Sequence, residues 1–290
     1  MRLCLRCGTG FSGDGWRCPQ CGYSPPLIDG FAAFAPDIAG GGAGFNPAHF
    51  AEFARLEADN FWFRARNRLI TWAVGRHFGR AKSLLEVGCG TGYVLSGIAA
   101  AFPGMRLAGS EAATAGLAFA AARVPHAAFL QMDARRIPFR EEFDVAGAFD
   151  VIEHIEDDRA VLGELRGAVA PGGGVVLTVP QHPFLWSGHD VSQRHVRRYT
   201  ARELRDKAVA AGLEVIRMTS FVTLLMPLML LSRLMRRRAR EDYESLAELK
   251  VPAWLNLPLE RALDLERALI RAGLSLPAGG SLLLVARRPR

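Results

Sequence analysis

"LLEVGCGTGYVL", residues 84–95, decides the fold. Two leucines, an acid and a valine run into Gly88, Gly90 and Gly92 at alternate positions, and helical sequence follows at once. A short apolar run reads as a buried strand. Glycines directly after it let the backbone turn tightly and approach a ligand, with a helix N-terminus behind them. In open α/β sheets ligands bind at the carboxyl ends of strands, which is where these glycines fall.

Outward from this stretch, strands and helices alternate. "RLAGSE", "AAFLQMD", "FDVAGAFD", "GVVLTVP" and "LEVIRMTSF" read as strands, and "DDRAVLGELRGAVA" and "TARELRDKAVAAG" as helices between them. Thr200 caps the second of these, with Glu203 at the capping-box position and Gly212 as terminator. The order predicts an α/β doubly wound, mostly parallel sheet. A last strand is expected at 281–288, after a helical insertion at about 221–280. Upstream, residues 1–28 are rich in cysteine and glycine, and "DGFAAFAPDIAGGGAGF" at 29–45 reads as a flexible linker. The main domain then spans 46–290, opening on a helix with Asn46 as N-cap and Pro47 at its first position.

A dinucleotide fingerprint needs G-x-G-x-x-G, but the third position falls on Tyr93. The glycines follow G-x-G-x-G instead, with Glu86 two residues ahead. Glu111 ends the second strand and Asp133 the third, so carboxylates stand where ribose hydroxyls and an adenine amino group would lie. The segments "EVGCGTG", "GSE", "QMDARRIPF", "FDVAGAFDVIEHIEDD" and "LRGAVAPGGGVVLTVP" resemble the class I S-adenosylmethionine-dependent methyltransferases over about residues 82–181. The resemblance, to bacterial members acting on small molecules or lipids, implies a seven-stranded sheet with an antiparallel last strand. It also implies a cofactor site: Glu86, Gly88, Gly90 and Gly92 at the methionine end, Glu111 at the ribose, Asp133 and Ala134 at the adenine. "NFWFRARNRLI" at 60–70 reads as a helix that either packs in the core or roofs that site.

"CLRC" at 4–7 and "CPQC" at 18–21 give C-x2-C-x10-C-x2-C. Four thiolates at this spacing suit tetrahedral zinc, and with four cysteines no position is left for water, so a structural zinc ribbon on Cys4, Cys7, Cys18 and Cys21 is expected. Cys89 reads as a small filler of the glycine loop.

For the methyl acceptor, "DVIEH" places Asp150, Glu153 and His154 after the fourth strand, with His154 as the candidate base. Glu153, Glu156, Asp157 and Asp158 read as helix-start acids in preference to metal ligands. The connection "PQHPFLWSGHDVSQRHVRRYT" at 180–200 carries His182, Trp186, His189, Asp190, His195, Arg198 and Tyr199, the candidate acceptor lid. Arg197, Arg198 and Tyr199 read equally well as anchors of the following helix.

The chain's 290 residues are 50% hydrophobic and 22% charged, which excludes global disorder. A formal charge of +7 favours anionic partners. No leader segment is read at the N-terminus and no apolar run is long enough to span a bilayer, so a cytoplasmic protein is expected. In "FVTLLMPLMLLSRLMRRRAR" (221–240) an apolar segment ends in arginines, and an amphipathic stretch follows at 251–270. Two readings stay open there: the two segments pack on each other or across a homodimer, or they make peripheral contact with the inner face of the membrane. The reading is thus a methyltransferase with a small-molecule or lipid-linked acceptor. The alternative is an RNA methyltransferase using the ribbon for RNA contact. It is the weaker one, because the ribbon is poor in basic residues and Asp150-Val151-Ile152-Glu153 stands where a base-flipping enzyme shows N-P-P-Y.

Overall fold

The computed structural model describes residues 1–13, 15–41, 47–236 and 251–290. Strands β1 (Arg2–Leu3) and β2 (Gly10–Phe11) form a hairpin. Strands β3 (Leu27–Ile28) and β4 (Phe31–Ala33) follow. The expected N-cap Asn46 lies outside the described residues. The chain continues from 47 through one 3-10 turn into α1 (Phe50–Leu56), and α2 (Phe61–Phe78) is capped by Asn60, whose side chain accepts from Trp62 N.

The alternating core then runs β5 (Ser83–Val87), α3 (Tyr93–Ala101), β6 (Arg106–Glu111), α4 (Thr114–Arg123), β7 (Ala128–Gln131) and β8 (Phe143–Phe149). It continues as α5 (Asp158–Ala168), β9 (Val169–Pro180), the short α6 (Gly188–Ser192), α7 (Ala201–Ala210) and β10 (Glu214–Phe221). Helices α8 (Met226–Arg236) and α9 (Ala253–Arg271) fill the insertion before β11 (Ser281–Arg287).

The sheet order is β10-β11-β9-β8-β5-β6-β7-β4-β3. Pairing from β9 through β7 to β4 is parallel, and β11 runs antiparallel to both neighbours. Seven of these strands are the expected sheet. The other two come from the N-terminal region: β3 lies within the ribbon segment, and β4 lies within 29–45, whose glycines suggested a linker. Together they cover the edge of β7, which would otherwise offer unpaired backbone to another chain.

Residues Leu84 and Leu85 are both fully buried because both faces of β5 are covered. Leu85 joins a cluster with Val161 and Leu165 of α5 and Leu204 of α7. Leu84 joins the opposite cluster with Ile70 and Val74 of α2, Leu95 of α3 and Ile270 of α9. No described helix is long and apolar enough to cross a membrane.

Candidate active site

The carboxyl ends of β5, β6, β7 and β8 open into one cavity of about 830 Å³, within the ~300–1,000 Å³ range of small-molecule sites. Glu86, Gly88, Gly90, Glu111, Asp133, Ala134 and His154 all line it. Gly88 has φ +70, and a Cβ there would stand 2.5 Å from Val151 Cγ2. Gly92 does not line the cavity: with φ +75 it caps α3, and a Cβ there would meet the Ala120 backbone at 2.9 Å. Its part is to let two helices approach.

The carboxylates differ in their surroundings. Glu86 is buried with Oε2 unpartnered, and that burial, opposed by Arg66, pushes its carboxyl up to about 8. Burial also raises Glu111, although Oε2 accepts from Gly90 N at 3.0 Å and Oε1 from Ala112 N at 2.8 Å. This ties the end of β6 to the glycine loop. Asp133 is held by Arg135 through its Nε and Nη2, and despite partial burial its carboxyl sits below the usual range.

At the far end, Asp150 turns the chain with φ 58 and pairs with Arg66, which also lies 3.4 Å from Thr178 Oγ1. Glu153 is fully buried and neither carboxylate oxygen has a hydrogen-bond partner. Burial, then the nearby Asp150, raises its carboxyl well above the ordinary range. Burial and His195 push His154 down to about 3, so its imidazole is neutral, and its Nδ1 has no partner.

The 180–200 connection divides. His189, His195 and Arg198 line the cavity, together with Gln193. Asp190 stands behind them, fully buried, accepting from Arg198 Nε at 2.7 Å and lying 2.9 Å from His195 Nδ1. Tyr199 is also fully buried and donates to Asp158 Oδ2 at 2.7 Å, while Arg197 and Lys207 bind the same carboxylate. Tyr199 and Arg197 therefore tie α7 to the start of α5. His182 stacks on Phe184, Trp186 is 39% exposed, and neither lines the cavity.

Several lining residues escaped the sequence reading. Arg66 and Trp62 come from α2, on the roofing side of the two roles considered for that helix. Leu225 comes from just ahead of α8, Leu228, Met229, Ser232 and Arg233 from α8, and Leu255 and Leu259 from α9. The apolar character of α8 was visible, but nothing local said that one stripe would face a cavity. The Asp157 side chain caps α5 by accepting from Ala160 N. In the N-terminal cluster, Sγ of Cys4 lies 3.6 Å from that of Cys21, and Sγ of Cys7 3.6 Å from that of Cys18. Each pair turns on a matching knuckle, with Gly8 N donating to Cys4 O and Gly22 N to Cys18 O.

A family model described as a methyltransferase domain matches residues 51–218. A Mycolicibacterium smegmatis protein named as a probable S-adenosylmethionine-dependent methyltransferase is 30% identical over 163 residues, 55% of this chain and 62% of that protein. A trans-aconitate 2-methyltransferase of Methylobacterium radiotolerans is 33% identical over 98 residues, 34% of this chain and 38% of that protein. The chain thus spans less than two thirds of either relative. Among solved structures, a Haemonchus contortus phosphoethanolamine N-methyltransferase 2 holding phosphomonomethylethanolamine and S-adenosylhomocysteine matches with TM-score 0.56 at 20% identity, covering 84% of this chain and 58% of that one. The [4+2]-cyclase SpnF matches with TM-score 0.53 at 22% identity, covering 79% and 82%. The two share the fold and differ in their named activities, so the reaction has to be argued from the site.

Proposed function

The chain belongs to the methyltransferase-domain family, and we propose that it transfers a methyl group from S-adenosylmethionine to a small-molecule or lipid-linked acceptor. One observation carries this: Glu86 and Gly88, Glu111, and Asp133 stand at the ends of three adjacent strands and face one cavity. The fit is chemical as well. The cofactor is cationic at its methionine end, and Glu86 is a buried carboxyl with an orphaned oxygen there, which a cation would draw into its charged form. Glu111 would accept from the ribose hydroxyls, and Asp133 with Ala134 would flank the adenine.

When bound, the cofactor supplies an electrophilic methyl on a sulfonium that carries its own leaving group. The chain's part is to align the acceptor and exclude water. Leu225 just ahead of α8, Met229 of α8, and Leu255 and Leu259 of α9 supply an apolar roof. The neutral His154 beside it offers an unpartnered Nδ1 that can accept a hydrogen bond from the acceptor and orient it. The exposed residues on or beside these helices, Leu224, Leu228, Leu231, Trp254 and Leu257, suit a lipid-linked acceptor and peripheral membrane contact better than the phosphates of RNA.

Calorimetry with S-adenosylmethionine and S-adenosylhomocysteine tests the reading. Glu111→Ala should weaken binding by ~1–3 kcal/mol. Unchanged affinity rejects the ribose assignment, and tight binding of a nicotinamide dinucleotide in place of the cofactor rejects the function. A labelled-methyl screen of lipid, RNA, protein and small-molecule fractions then identifies the acceptor.

A structural zinc on Cys4, Cys7, Cys18 and Cys21 completes the proposal. Tetrahedral Zn–S bonds of ~2.3 Å require sulfur separations of about 3.8 Å, and the two closest pairs stand at 3.6 Å. The double variant Cys18→Ser/Cys21→Ser should lose one equivalent of zinc. Full retention places the metal elsewhere.

A further inference from the structure

Among the described residues, a second cluster besides the cysteines brings metal-competent atoms together: one donor each from Glu153, His154 and His195 lies within 4.8 Å of the others. All three residues line the cavity. Glu153 and His154 sit on the 3-10 turn Ile152–His154 after β8, and His195 sits on the loop after α6. A backbone bond from Val196 N to Glu153 O, 2.8 Å, clamps the two segments together.

Each group is set as a ligand would be. The His154 ring bonds to the backbone of Arg194 and Gln193, and the nitrogen without a partner is Nδ1. Its other nitrogen therefore carries the proton, and Nδ1 keeps its lone pair. The His195 Nδ1 faces Asp190 Oδ1 at 2.9 Å, leaving Nε2 for the cluster. Asp190 is itself fixed by Arg198 and by the Ser187 backbone N at 2.8 Å. A carboxylate behind a histidine is the arrangement that orients an imidazole for metal binding. Glu153 supplies the second, independent sign. A fully buried carboxylate with both oxygens unpartnered is costly without a cation or a proton to satisfy it.

We propose that Glu153, His154 and His195 bind a divalent first-row transition-metal ion. Two imidazole nitrogens and one carboxylate oxygen suit Zn(II) or Mn(II) and leave coordination positions open. Bonds of 2.0–2.2 Å place tetrahedral donors about 3.4 Å apart, so modest side-chain rotation closes the set. The open positions face the cavity. Resting on the function proposed above, an acceptor hydroxyl would occupy one of them. Its proton would leave to water at the cavity mouth, its oxygen would bond the methyl carbon, and the S–C bonding pair would return to sulfur. The acceptor class is then a hydroxyl compound, and His154 serves by holding the ion.

The experiment uses full-length protein with its cysteine cluster saturated with zinc. Mn(II), which thiolates bind poorly, is titrated and the free ion followed by its paramagnetic resonance signal; a second zinc equivalent is sought by metal analysis. One Mn(II) per chain is expected, weakened at least tenfold by Glu153→Gln and by His195→Gln, with circular dichroism confirming that both variants fold. Absence of both Mn(II) uptake and a second zinc equivalent in the wild type overturns the proposal without recourse to any variant. Binding unchanged in both folded variants, or lost only in Cys18→Ser/Cys21→Ser, overturns it as well. No cofactor is present in these titrations, so failure of methyl transfer and failure of metal binding are read separately.

Discussion

The N-terminal region and the insertion between β10 and β11 look alike in the sequence, as additions to a core. They are attached in opposite ways. The N-terminal region joins through backbone: Leu3 N donates to Pro138 O at 3.0 Å, Arg140 N to Met1 O at 2.8 Å, and β4 pairs along β7. The Gln131 side chain then bonds both Ala35 N at 3.0 Å and Ala35 O at 2.7 Å. Trp16 packs edge-on against Phe34 and Phe139. The insertion joins largely through side chains, with backbone bonds where it returns to the sheet, Ser220 N to Leu276 O at 3.0 Å and Gln181 N to Gly280 O at 2.9 Å. Arg64 and Arg68 of α2 meet Glu260 and Asp264 of α9, and Asn256 accepts from Phe61 N at 2.9 Å. Buried Glu266 accepts from the backbone of Val222, Thr223 and Leu224, holding Val222 at φ 61 where the chain leaves β10 for α8. Backbone pairing makes the first region part of the sheet. Side-chain docking makes the second part of the cavity wall.

The largest effect that tests this contrast is deletion of residues 1–40. It removes β3 and β4, bares the edge of β7 and takes away the two Ala35 bonds of buried Gln131, leaving only Ala112 O to its side chain. We expect a loss of about 3 kcal/mol or more, read as a large fall in melting temperature or as insolubility. A truncated protein that melts like the full chain breaks the comparison.

Charging the cavity face of the insertion should do the reverse. Leu225→Glu/Met229→Glu places two acids against the cavity, beside the proposed acceptor position. Methyl transfer should fall at least about a hundredfold if each buried charge costs more than ~1.4 kcal/mol. The melting temperature should move far less than in the truncation. A collapse in stability with the residual activity per folded molecule intact would reverse the roles of the two regions.

How much of this was legible follows from where the signal lies. The strands around "LLEVGCGTGYVL" were legible because both faces of a parallel strand are buried, leaving a continuous apolar run that ends in glycine. The cysteine pairs were legible because all four candidate ligands come from two local turns. β4 was not: "FAAF" is short and stands in glycine-rich sequence, and pairing with β7, almost a hundred residues away, makes it a strand. The Glu153–His154–His195 cluster joins a turn to a loop some forty residues later, and in sequence Glu153 looked like one more helix-start acid. Arg66 reaches Asp150 across the whole first half of the domain. Long-range side-chain meetings leave no local periodicity.

The pH dependence of stability sharpens the comparison, because Glu86 belongs to neither region. Its folded carboxyl titrates near 8, above the ordinary value of 4.5. The folded state therefore holds a proton that the unfolded chain has released, and this contribution to stability is lost as pH rises from about 4.5 to about 8. The slope is at most about 1.4 kcal/mol per pH unit. The ligand-free protein should melt lower at pH 8 than at pH 5.5, and Glu86→Gln should flatten part of that fall. Buried Glu153 and Glu266 contribute in the same direction, so the variant keeps a residual slope. The same flattening should occur in Leu225→Glu/Met229→Glu carrying Glu86→Gln, since the insertion does not set the Glu86 burial; a profile unaltered by Glu86→Gln rejects the assignment.

The smallest effect concerns the outer face of the insertion. Leu224, Leu228 and Leu231 are exposed on or beside α8, and Trp254, Leu257 and Leu265 are exposed on α9. Leu225 and Leu228 line the cavity and Leu224 and Leu231 do not, so the discriminating substitutions are Leu224→Glu/Leu231→Glu. Arg237, Arg238 and Arg240 follow α8 in the sequence and lie outside the described residues. Apolar side chains followed by arginines suit the headgroup boundary of an anionic bilayer. Weak peripheral binding of this kind should float the wild type with vesicles containing anionic lipid at low salt, lose most of that flotation in the double variant, and weaken with added salt. The folded core should be indifferent, because both leucines are already half in water. If the wild type stays at the bottom of the gradient and scatters light as a salt-resistant dimer, the same apolar stripe faces a second copy of the chain. The insertion would then be a subunit contact, joined to its neighbour by side chains as it is joined to its own sheet.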